Sequence, residues 1–210
     1  MFVTLEGVDG SGKTTVAKEL VTLLENEGHA AIYTREPGGN KIAEAIRAVI
    51  LDRAHTEMDP RTESLLYAAA RRQHLVEIIE PALKSGKIVI CDRFIDSSIA
   101  YQGYARGIEP TLIETINAFA IADVKPDVTF LIDVKPEIGL ERIQKDKHRE
   151  INRLDLESLA FHQSVYEGYQ QLAKKDAGRI HVIDGCQRIP DMITEMSRVI
   201  NGRFVNERWS

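Results

Sequence analysis

The sequence predicts an α/β fold in which helices cover both faces of a parallel β-sheet. Short segments rich in Val and Ile alternate along the chain with longer segments that have the apolar spacing of one helix face. Such alternation is typical of right-handed βαβ crossovers, which make successive strands parallel. The chain has 210 residues, so we expect one compact domain over 1–210 that carries a basic segment at 142–153.

The first elements follow from local patterns. Residues 2–6 (FVTLE) form a β-rich run that ends before Gly7. A helix over 13–27 follows, because its apolar residues recur at the spacing of one helix face, and Gly28 is suited to end it. The next β-rich run, at 30–34, predicts the second strand.

Proline and glycine mark the next boundaries. A Pro-Gly-Gly break precedes a predicted helix over 41–51, and Pro60 opens a long helix that should end near Gly86 with a kink at Pro81. Three further strands are predicted at 87–91, 127–134 and 179–183. The remaining helical patterns lie at 110–122, 136–145, 155–175 and 189–201.

Charge and composition exclude several classes of protein. Lys and Arg number 27 against 32 Asp and Glu, a net charge of −5, which disfavours a general nucleic-acid or anionic-membrane binder. We see no uncharged stretch near the length of a membrane span and no secretory leader. Cys91 and Cys186 lack metal-ligand spacing and are interpreted as thiols, so we expect a cytoplasmic protein.

Residues 142–153 (RIQKDKHREINR) are the one marked shift in composition. They hold five Lys or Arg against two Asp or Glu and few apolar residues. A solvated helix end and a mobile basic flap explain this composition equally well, and the sequence leaves both open.

The segment from Gly7 to Thr14 (GVDGSGKT) fits the phosphate-loop pattern G-x-x-x-x-G-K-[ST]. It lies between a predicted strand and a predicted helix, which is the context that the motif requires. Its backbone N–H groups would hold phosphate oxygens at a helix N-terminus. Lys13 would reach the β- and γ-phosphates, and the Thr14 hydroxyl would bind Mg²⁺. The motif indicates a nucleoside triphosphate but leaves the reaction open.

Arginines and one tyrosine point to a second ligand. Arg35 and Arg93 directly follow the second and third predicted strands, at the sheet edge that also holds the phosphate loop. Two guanidinium groups there suit a second phosphate. Tyr67 and Arg71 are four residues apart, so they share a helix face and could contact a nucleobase. A core tyrosine beside a capping arginine is the competing interpretation.

Five motifs together resemble bacterial thymidylate kinase. They are EGVDGSGKTT at 6–15, REPGG at 35–39, YAAARRQH at 67–74, DRFIDSSIAYQGYARG at 92–107 and NRLD at 152–155. The motifs occur in the order and spacing of that family. The resemblance implies a three-layer α/β/α fold with a five-stranded parallel sheet, of the P-loop NTPase and nucleoside monophosphate kinase type. It also implies a homodimer that uses ATP and Mg²⁺ to convert dTMP to dTDP.

The same resemblance implies roles for individual residues. ATP would be bound by Gly7, Gly10, Ser11, Gly12, Lys13, Thr14, Thr15 and Arg142, with residues 184–187 beside the adenine. The dTMP site would consist of Asp9, Arg35, Arg47, Tyr67, Arg71, Arg93, Ser97, Ser98, Tyr101 and Gln102. Asp9 would bind the 3′-hydroxyl and Tyr101 would close off the 2′ position. Tyr67, where the family usually has Phe, would stack on thymine, and Arg71 would reach its O4 atom.

The catalytic assignment also rests on the resemblance. Thr14 and Asp92 would hold Mg²⁺, and the catalytic groups would be Lys13, Arg93, Arg149 and Arg153. Some members of the family carry a catalytic Arg in the phosphate loop, where this chain has Gly10 and Ser11, so the basic lid should supply the charge. A kinase for another pyrimidine monophosphate and a P-loop ATPase switch remain as alternative functions.

Overall fold

The computed structural model describes residues 1–146 and 151–207, with side chains through residue 203. Its described part contains a five-stranded, all-parallel sheet in the order β2-β3-β1-β4-β5, which confirms the predicted fold class. The strands are β1 (Phe2–Glu6), β2 (Ala31–Arg35), β3 (Ile88–Asp92), β4 (Val128–Asp133) and β5 (Ile180–Asp184).

Helices connect these strands and cover the sheet. They are α1 (Lys13–Asn26), α2 (Lys41–Leu51), α3 (Pro60–His74), α4 (Glu80–Lys84), α5 (Ile95–Ser98), α6 (Pro110–Ile121), α7 (Pro136–Lys145), α8 (Leu159–Lys175) and α9 (Ile189–Glu207). Within the described ranges, no helix combines the length and the apolar character that crossing a bilayer requires.

The central strand β1 is buried on both faces of the sheet. Val3 and Leu5 belong to the larger apolar core, whereas Phe2 packs in a second core with Leu75 and Phe94. Because successive side chains of a strand point to opposite faces, this division shows that both faces of the sheet are covered. A continuous apolar run is typical of such a strand.

The long helix predicted after Pro60 is interrupted before Pro81. A π-helical turn, Leu75–Ile79, separates α3 from α4, and the Glu80 backbone N–H bonds to the Leu75 carbonyl five residues back. A proline ring clashes with the carbonyl four residues before it, and the wider turn relieves that clash.

Two other helical segments differ from the prediction. Helix α8 begins at Leu159 rather than 155, because the Ser158 hydroxyl accepts a hydrogen bond from the Phe161 N–H and caps the helix there. The sequence analysis also missed α5 and the π-helical turn Ile99–Ala105 that continues it.

The strand register brings the functional edge together. Asp92 at the end of β3 is level with Arg35 on β2 and with Leu5 on β1. The residues that follow β1, β2 and β3 therefore leave the sheet at the same edge, with β3 between β1 and β2. This edge holds the phosphate loop and the predicted acceptor arginines.

Candidate active site

A cavity of about 490 Å³ lies beyond the carboxyl ends of β1, β2 and β3. Most of the predicted site residues line it: Asp9, Gly10, Gly12, Lys13, Thr14, Thr15, Arg35, Arg47, Tyr67, Arg71, Asp92, Arg93, Ser97, Ser98, Tyr101, Gln102 and Arg142. This is the position at which ligands bind in open α/β sheets. Gly7, Ser11 and Arg153 are outside the lining, and Arg149 lies outside the described residues.

The phosphate loop needs its glycines for conformation and for space. Gly10 and Gly12 have φ angles of 74° and 93°, in the left-handed region. A Cβ on Gly10 would lie 2.1 Å from the Gly139 carbonyl oxygen in α7, so any side chain there would separate the loop from that helix. The loop is thus held against the helix that carries Arg142.

Lys13 is buried and folded onto its own loop. Its Nζ donates hydrogen bonds to the carbonyl oxygens of Gly7 (2.9 Å) and Val8 (2.7 Å) and to Ser11 Oγ (3.1 Å). Gly7 and Ser11 therefore accept hydrogen bonds from Lys13, and they do not line the cavity. Burial, followed by the charge of Arg93, lowers the pKa of Lys13 to about 7, although nearby carboxylates raise it.

The depressed pKa predicts proton uptake when the nucleoside triphosphate expected at the phosphate loop binds. A bound phosphate raises the pKa of Lys13, so above a pH of about 7 the free protein should take up a proton as the triphosphate binds. The affinity for the triphosphate, with ATP as the probe, should therefore decrease as pH rises above that value. Calorimetry in buffers of different ionisation enthalpy measures the uptake, and Lys13→Met is the control. Equal uptake by Lys13→Met would contradict the assignment.

Thr14 and Asp92 meet at the edge of the phosphate loop. The Thr14 hydroxyl donates a hydrogen bond of 2.5 Å to Asp92 Oδ2. Both side chains offer the hard oxygen ligands that Mg²⁺ prefers. Asp92 is the last residue of β3, so the sheet itself determines the position of this carboxylate.

Arg93 is fixed from several directions. Its backbone has a φ of 71°, which strains a non-glycine residue, and its guanidinium lies 5.1 Å from the ring of Tyr101. Nη2 donates to Asp9 Oδ1 at 2.7 Å, while Nη1 bonds to the Gly7 carbonyl oxygen at 3.0 Å. Burial lowers the pKa of Arg93, but Tyr101 and Asp9 raise it well above its usual value, so the cation is permanent.

Asp9 and Tyr101 form a wall of the cavity beside Arg93. The Tyr101 hydroxyl donates a hydrogen bond of 2.6 Å to the second carboxylate oxygen of Asp9. The tyrosine ring is almost completely buried, with 4% exposed, and packs edge-on against Phe161. The ring therefore occupies a fixed place beside the carboxylate.

Arg35 and Arg47 converge on one carbonyl oxygen. Each donates a hydrogen bond of 2.9 Å to the carbonyl oxygen of Pro37, and Arg35 also pairs with Glu44 at 2.8 Å. Burial and then the charge of Arg35 lower the pKa of Arg47. Two neighbouring guanidinium groups that face a cavity are suited to an anion such as phosphate.

Tyr67 and Arg71 both line the cavity on one face of α3, as their spacing predicts. Arg71 is 2% exposed and donates to Glu36 Oε2 (2.7 Å), Ser98 Oγ (3.0 Å), the Phe94 carbonyl oxygen (2.9 Å) and Asn117. A guanidinium has five N–H groups, so these four contacts leave one for a ligand.

Arg142, predicted to bind ATP, and Arg153, predicted to be a catalytic residue of the lid, have different surroundings. Arg142 lines the cavity and donates a hydrogen bond of 3.2 Å to the Gly185 carbonyl oxygen, which joins α7 to the segment after β5. Arg153 is buried, pairs with Glu63 and donates to the Ile50 carbonyl oxygen at 2.9 Å. Arg153 is thus not among the residues that line the cavity, and its predicted catalytic role stays a prediction.

Comparison with known proteins agrees with this geometry. The family model described as thymidylate kinase matches residues 5–196. A thymidylate kinase of Geobacillus thermodenitrificans is 54% identical over 97% of this chain and 90% of the relative. A second, from Geobacillus sp. strain WCH70, is 56% identical over 91% of both chains. The crystal structure of a thymidylate kinase from Ehrlichia chaffeensis superposes with a TM-score of 0.76 at 40% identity and covers 95% of this chain and 98% of its own.

The chain belongs to the thymidylate kinase family. Thymidylate kinases phosphorylate dTMP to dTDP, and this chain is accordingly a phosphotransferase of nucleotide biosynthesis. Its fold is that of the nucleoside monophosphate kinases with a five-stranded parallel sheet. The resemblance that the five motifs indicated is therefore confirmed.

Several residues of this thymidylate kinase site were missed by the sequence analysis. Glu36, Asp146, Asn152 and Leu154 line the cavity, and Asn117 accepts a hydrogen bond from Arg71. Glu36 lies inside the REPGG motif, so its neighbours could have indicated it. Asn117 lies in the middle of α6 with no local motif, and only the tertiary packing brings it to Arg71.

Proposed function

We propose that this cavity transfers the γ-phosphoryl group of ATP, with Mg²⁺, to the 5′-phosphate of dTMP. The observation that carries the proposal is a cavity lined both by the phosphate loop and by a separate group of arginines. Lys13 belongs to the phosphate loop, and the separate group consists of Arg35, Arg47 and Arg93. A hydrolase needs one phosphate site, whereas transfer between two nucleotides needs two.

The acceptor oxygen needs no general base. The second pKa of a phosphate monoester is about 6, so the attacking oxygen is largely ionised at neutral pH. The difficulty is to align two anions and to stabilise the charge on the transferred group. Among the residues that the structure describes, we assign this stabilisation to Lys13 and Arg93. The hydrogen bonds of Arg93 to Gly7 and Asp9, together with its strained backbone, hold its guanidinium in position.

Mg²⁺ fits the oxygen groups beside the phosphate loop. The Thr14 hydroxyl and the Asp92 carboxylate lie within hydrogen-bond distance of one another and line the same cavity. Mg²⁺ is usually held by one or two such groups together with substrate phosphates and water. When bound, the metal would neutralise charge on the β- and γ-phosphates.

The acceptor nucleoside fits the wall formed by Asp9, Tyr101, Tyr67 and Arg71. Asp9 would accept a hydrogen bond from the 3′-hydroxyl, and the buried Tyr101 ring, bonded to Asp9, would close off the 2′ position, as the family resemblance implies. Tyr67 would stack on the base, one helical turn from Arg71. Ser97, Ser98 and Gln102 would contact the same nucleotide from the segment after β3.

An assay of ATP consumption tests the proposed reaction. With ATP in excess, turnover should depend strictly on added dTMP and should yield dTDP and ADP in equal amounts. A panel that includes dUMP, UMP and dCMP determines the preference for the acceptor. ATP hydrolysis that is independent of any monophosphate would support the P-loop switch instead, and a faster reaction with UMP would support another pyrimidine kinase.

We also propose that the enzyme is a homodimer. Helices α3 and α6 pack against each other and expose large apolar side chains, namely Leu65 (58%), Leu112 (50%) and Phe119 (92%). Large apolar side chains exposed on two neighbouring helices are typical of an interface between subunits. The proposed address is the cytoplasm, where the two free thiols, Cys91 and Cys186, would stay reduced.

Replacing Phe119 tests the dimer. Phe119→Glu should shift the protein to the mass of a monomer in size-exclusion chromatography with light scattering, because a charge at the interface cannot be paired. Val182→Glu, at a half-exposed apolar residue of the edge strand β5, is the matched control and should leave the mass unchanged. A dimer that persists in Phe119→Glu would place the interface elsewhere.

A further inference from the structure

Glu36 provides the charged partner of Arg71. Its Oε2 accepts the hydrogen bond from Arg71 Nε at 2.7 Å, and only 3% of the Glu36 side chain is exposed. Glu36 also lines the cavity. A buried guanidinium and a buried carboxylate at this distance are a strongly coupled pair, and removing either one leaves an uncompensated charge.

Glu36 is itself held in place by a histidine. His74 is fully buried, and its Nδ1 lies 3.0 Å from Glu36 Oε1. Because an ionised carboxylate only accepts hydrogen bonds, Nδ1 must carry the proton. His74 Nε2 lies 2.6 Å from Thr34 Oγ1, so the ring has a hydrogen-bond partner on its other side as well. A Cβ on Gly39 would lie 2.6 Å from the ring, which shows how closely the backbone encloses it.

We propose that Glu36, oriented by His74, is a positioning residue that fixes Arg71 before the acceptor nucleotide binds. The inference rests on the proposed function, in which Arg71 contacts the base. With Nε held by Glu36 and three other N–H groups held by Ser98, Asn117 and Phe94, the remaining N–H has one direction. A donor ordered in advance costs less conformational entropy when the nucleotide binds.

The first test is Glu36→Gln, which keeps the shape of the side chain and removes its charge. Hydrogen bonds to charged groups are worth more than neutral ones, so we expect the KM for dTMP to rise about tenfold. The KM for ATP and kcat at saturating dTMP should stay close to wild type, because the base is remote from the transferred phosphoryl group. An unchanged KM for dTMP would overturn the proposal.

Asp96→Asn is the matched control for loss of a buried carboxylate. Asp96 has a side chain 3% exposed and pairs with Arg179, which does not line the cavity. The variant should lower the melting temperature without changing the KM for dTMP. If Asp96→Asn raised this KM as much as Glu36→Gln, the effect of Glu36 would be one of general stability and the proposal would fail.

A double-mutant cycle with Arg71→Lys tests whether Glu36 acts through Arg71. In the Arg71→Lys background, Glu36→Gln should change the KM for dTMP by less than about twofold, because the group that it positions is gone. Effects that simply multiply would overturn the proposal. If Arg71→Lys leaves the KM for dTMP unchanged while dTMP is still phosphorylated, the base contact and this inference fail but the reaction stands.

A base-specific measurement separates positioning from general damage. 5-Methyl-dCMP carries an amino group where thymine has its O4 carbonyl. Its amino group and the free N–H of Arg71 are both hydrogen-bond donors, so they cannot bond to each other. The ratio of its Kd to that of dTMP, measured by calorimetry, should be smaller in Glu36→Gln than in the wild type. An unchanged ratio would mean that Glu36 does not orient the base-reading group.

Two His74 variants provide a test if Glu36→Gln fails to fold. The amide of His74→Asn keeps an N–H donor near the position of Nδ1, whereas His74→Leu has none. We expect His74→Asn to retain a KM for dTMP near that of the wild type and His74→Leu to raise it as Glu36→Gln should. Equal KM values in the two variants would overturn the role of His74.

Discussion

Arg93→Ala is expected to lower kcat by about 10³-fold or more. This is the effect of removing a cation that stabilises charge in the transition state of phosphoryl transfer. Arg93 combines a permanent charge, an ion pair of 2.7 Å with Asp9 and a backbone held at a φ of 71°. Steady-state kinetics with saturating ATP and dTMP measures the effect. A decrease confined to the KM for dTMP would make Arg93 a binding group only.

Arg93→Lys is the informative companion. It keeps the positive charge but not the planar fork, which lies within hydrogen-bond distance of Asp9, Gly7, Ser97 and Tyr169. We expect it to recover only a small part of the lost kcat, because a lysine cannot reach all these partners and the substrate together. Full activity of Arg93→Lys would contradict a role for the geometry of the guanidinium.

Arg149→Ala and Arg153→Ala should have opposite signatures. Arg149 lies outside the described residues, and the family resemblance together with the basic composition of its segment predicts a decrease in kcat of about 10³-fold. Arg153 pairs with Glu63 in the interior, so its loss leaves the Glu63 carboxylate with fewer partners and should lower stability. Kinetics and thermal melting of the two variants, side by side, separate the roles.

The other partners of Glu63 limit how much Arg153→Ala should destabilise the protein. Gln102 and Arg106 also bond to this carboxylate, at 2.8 Å and 3.2 Å, so removing Arg153 does not leave it unpaired. We therefore expect Arg153→Ala to lower the free energy of unfolding by about 1–3 kcal/mol rather than to unfold the protein. A decrease in kcat for Arg153→Ala as large as that of Arg149→Ala would return Arg153 to the catalytic lid.

Local patterns were sufficient for the strands and for most helices. The five predicted strands agree with β1 to β5 within one or two residues, because apolar runs of strand length are typical of a doubly covered parallel sheet. The helix predicted after Pro60 is interrupted just before Pro81, where a kink was expected, but the sequence did not show that the interruption is a π-helical turn. The helical structure from Ile95 to Ala105 was missed because several of its polar and aromatic side chains line the cavity and do not form an amphipathic pattern.

The motifs placed most of the site, but they did not show its internal order. The phosphate loop and the arginines after β2 and β3 were predicted from spacing, and they line one cavity. That Glu36 bridges Arg71 and His74, or that Asn117 in α6 bonds to Arg71, depends on the packing of elements far apart in the chain.

The sequence by itself determined the fold class, the nucleotide-binding loop and the family, because these depend on periodicity and on motifs within short segments. Only the tertiary structure decided which charged side chains line the cavity. Arg93 and Arg153 are both arginines in family motifs, yet one lines the cavity and the other lies in a buried pair with Glu63. The physical reason is that the neighbouring groups determine whether a charged side chain is paired in the interior or available to a ligand. The strand register and the helix packing bring those neighbours together.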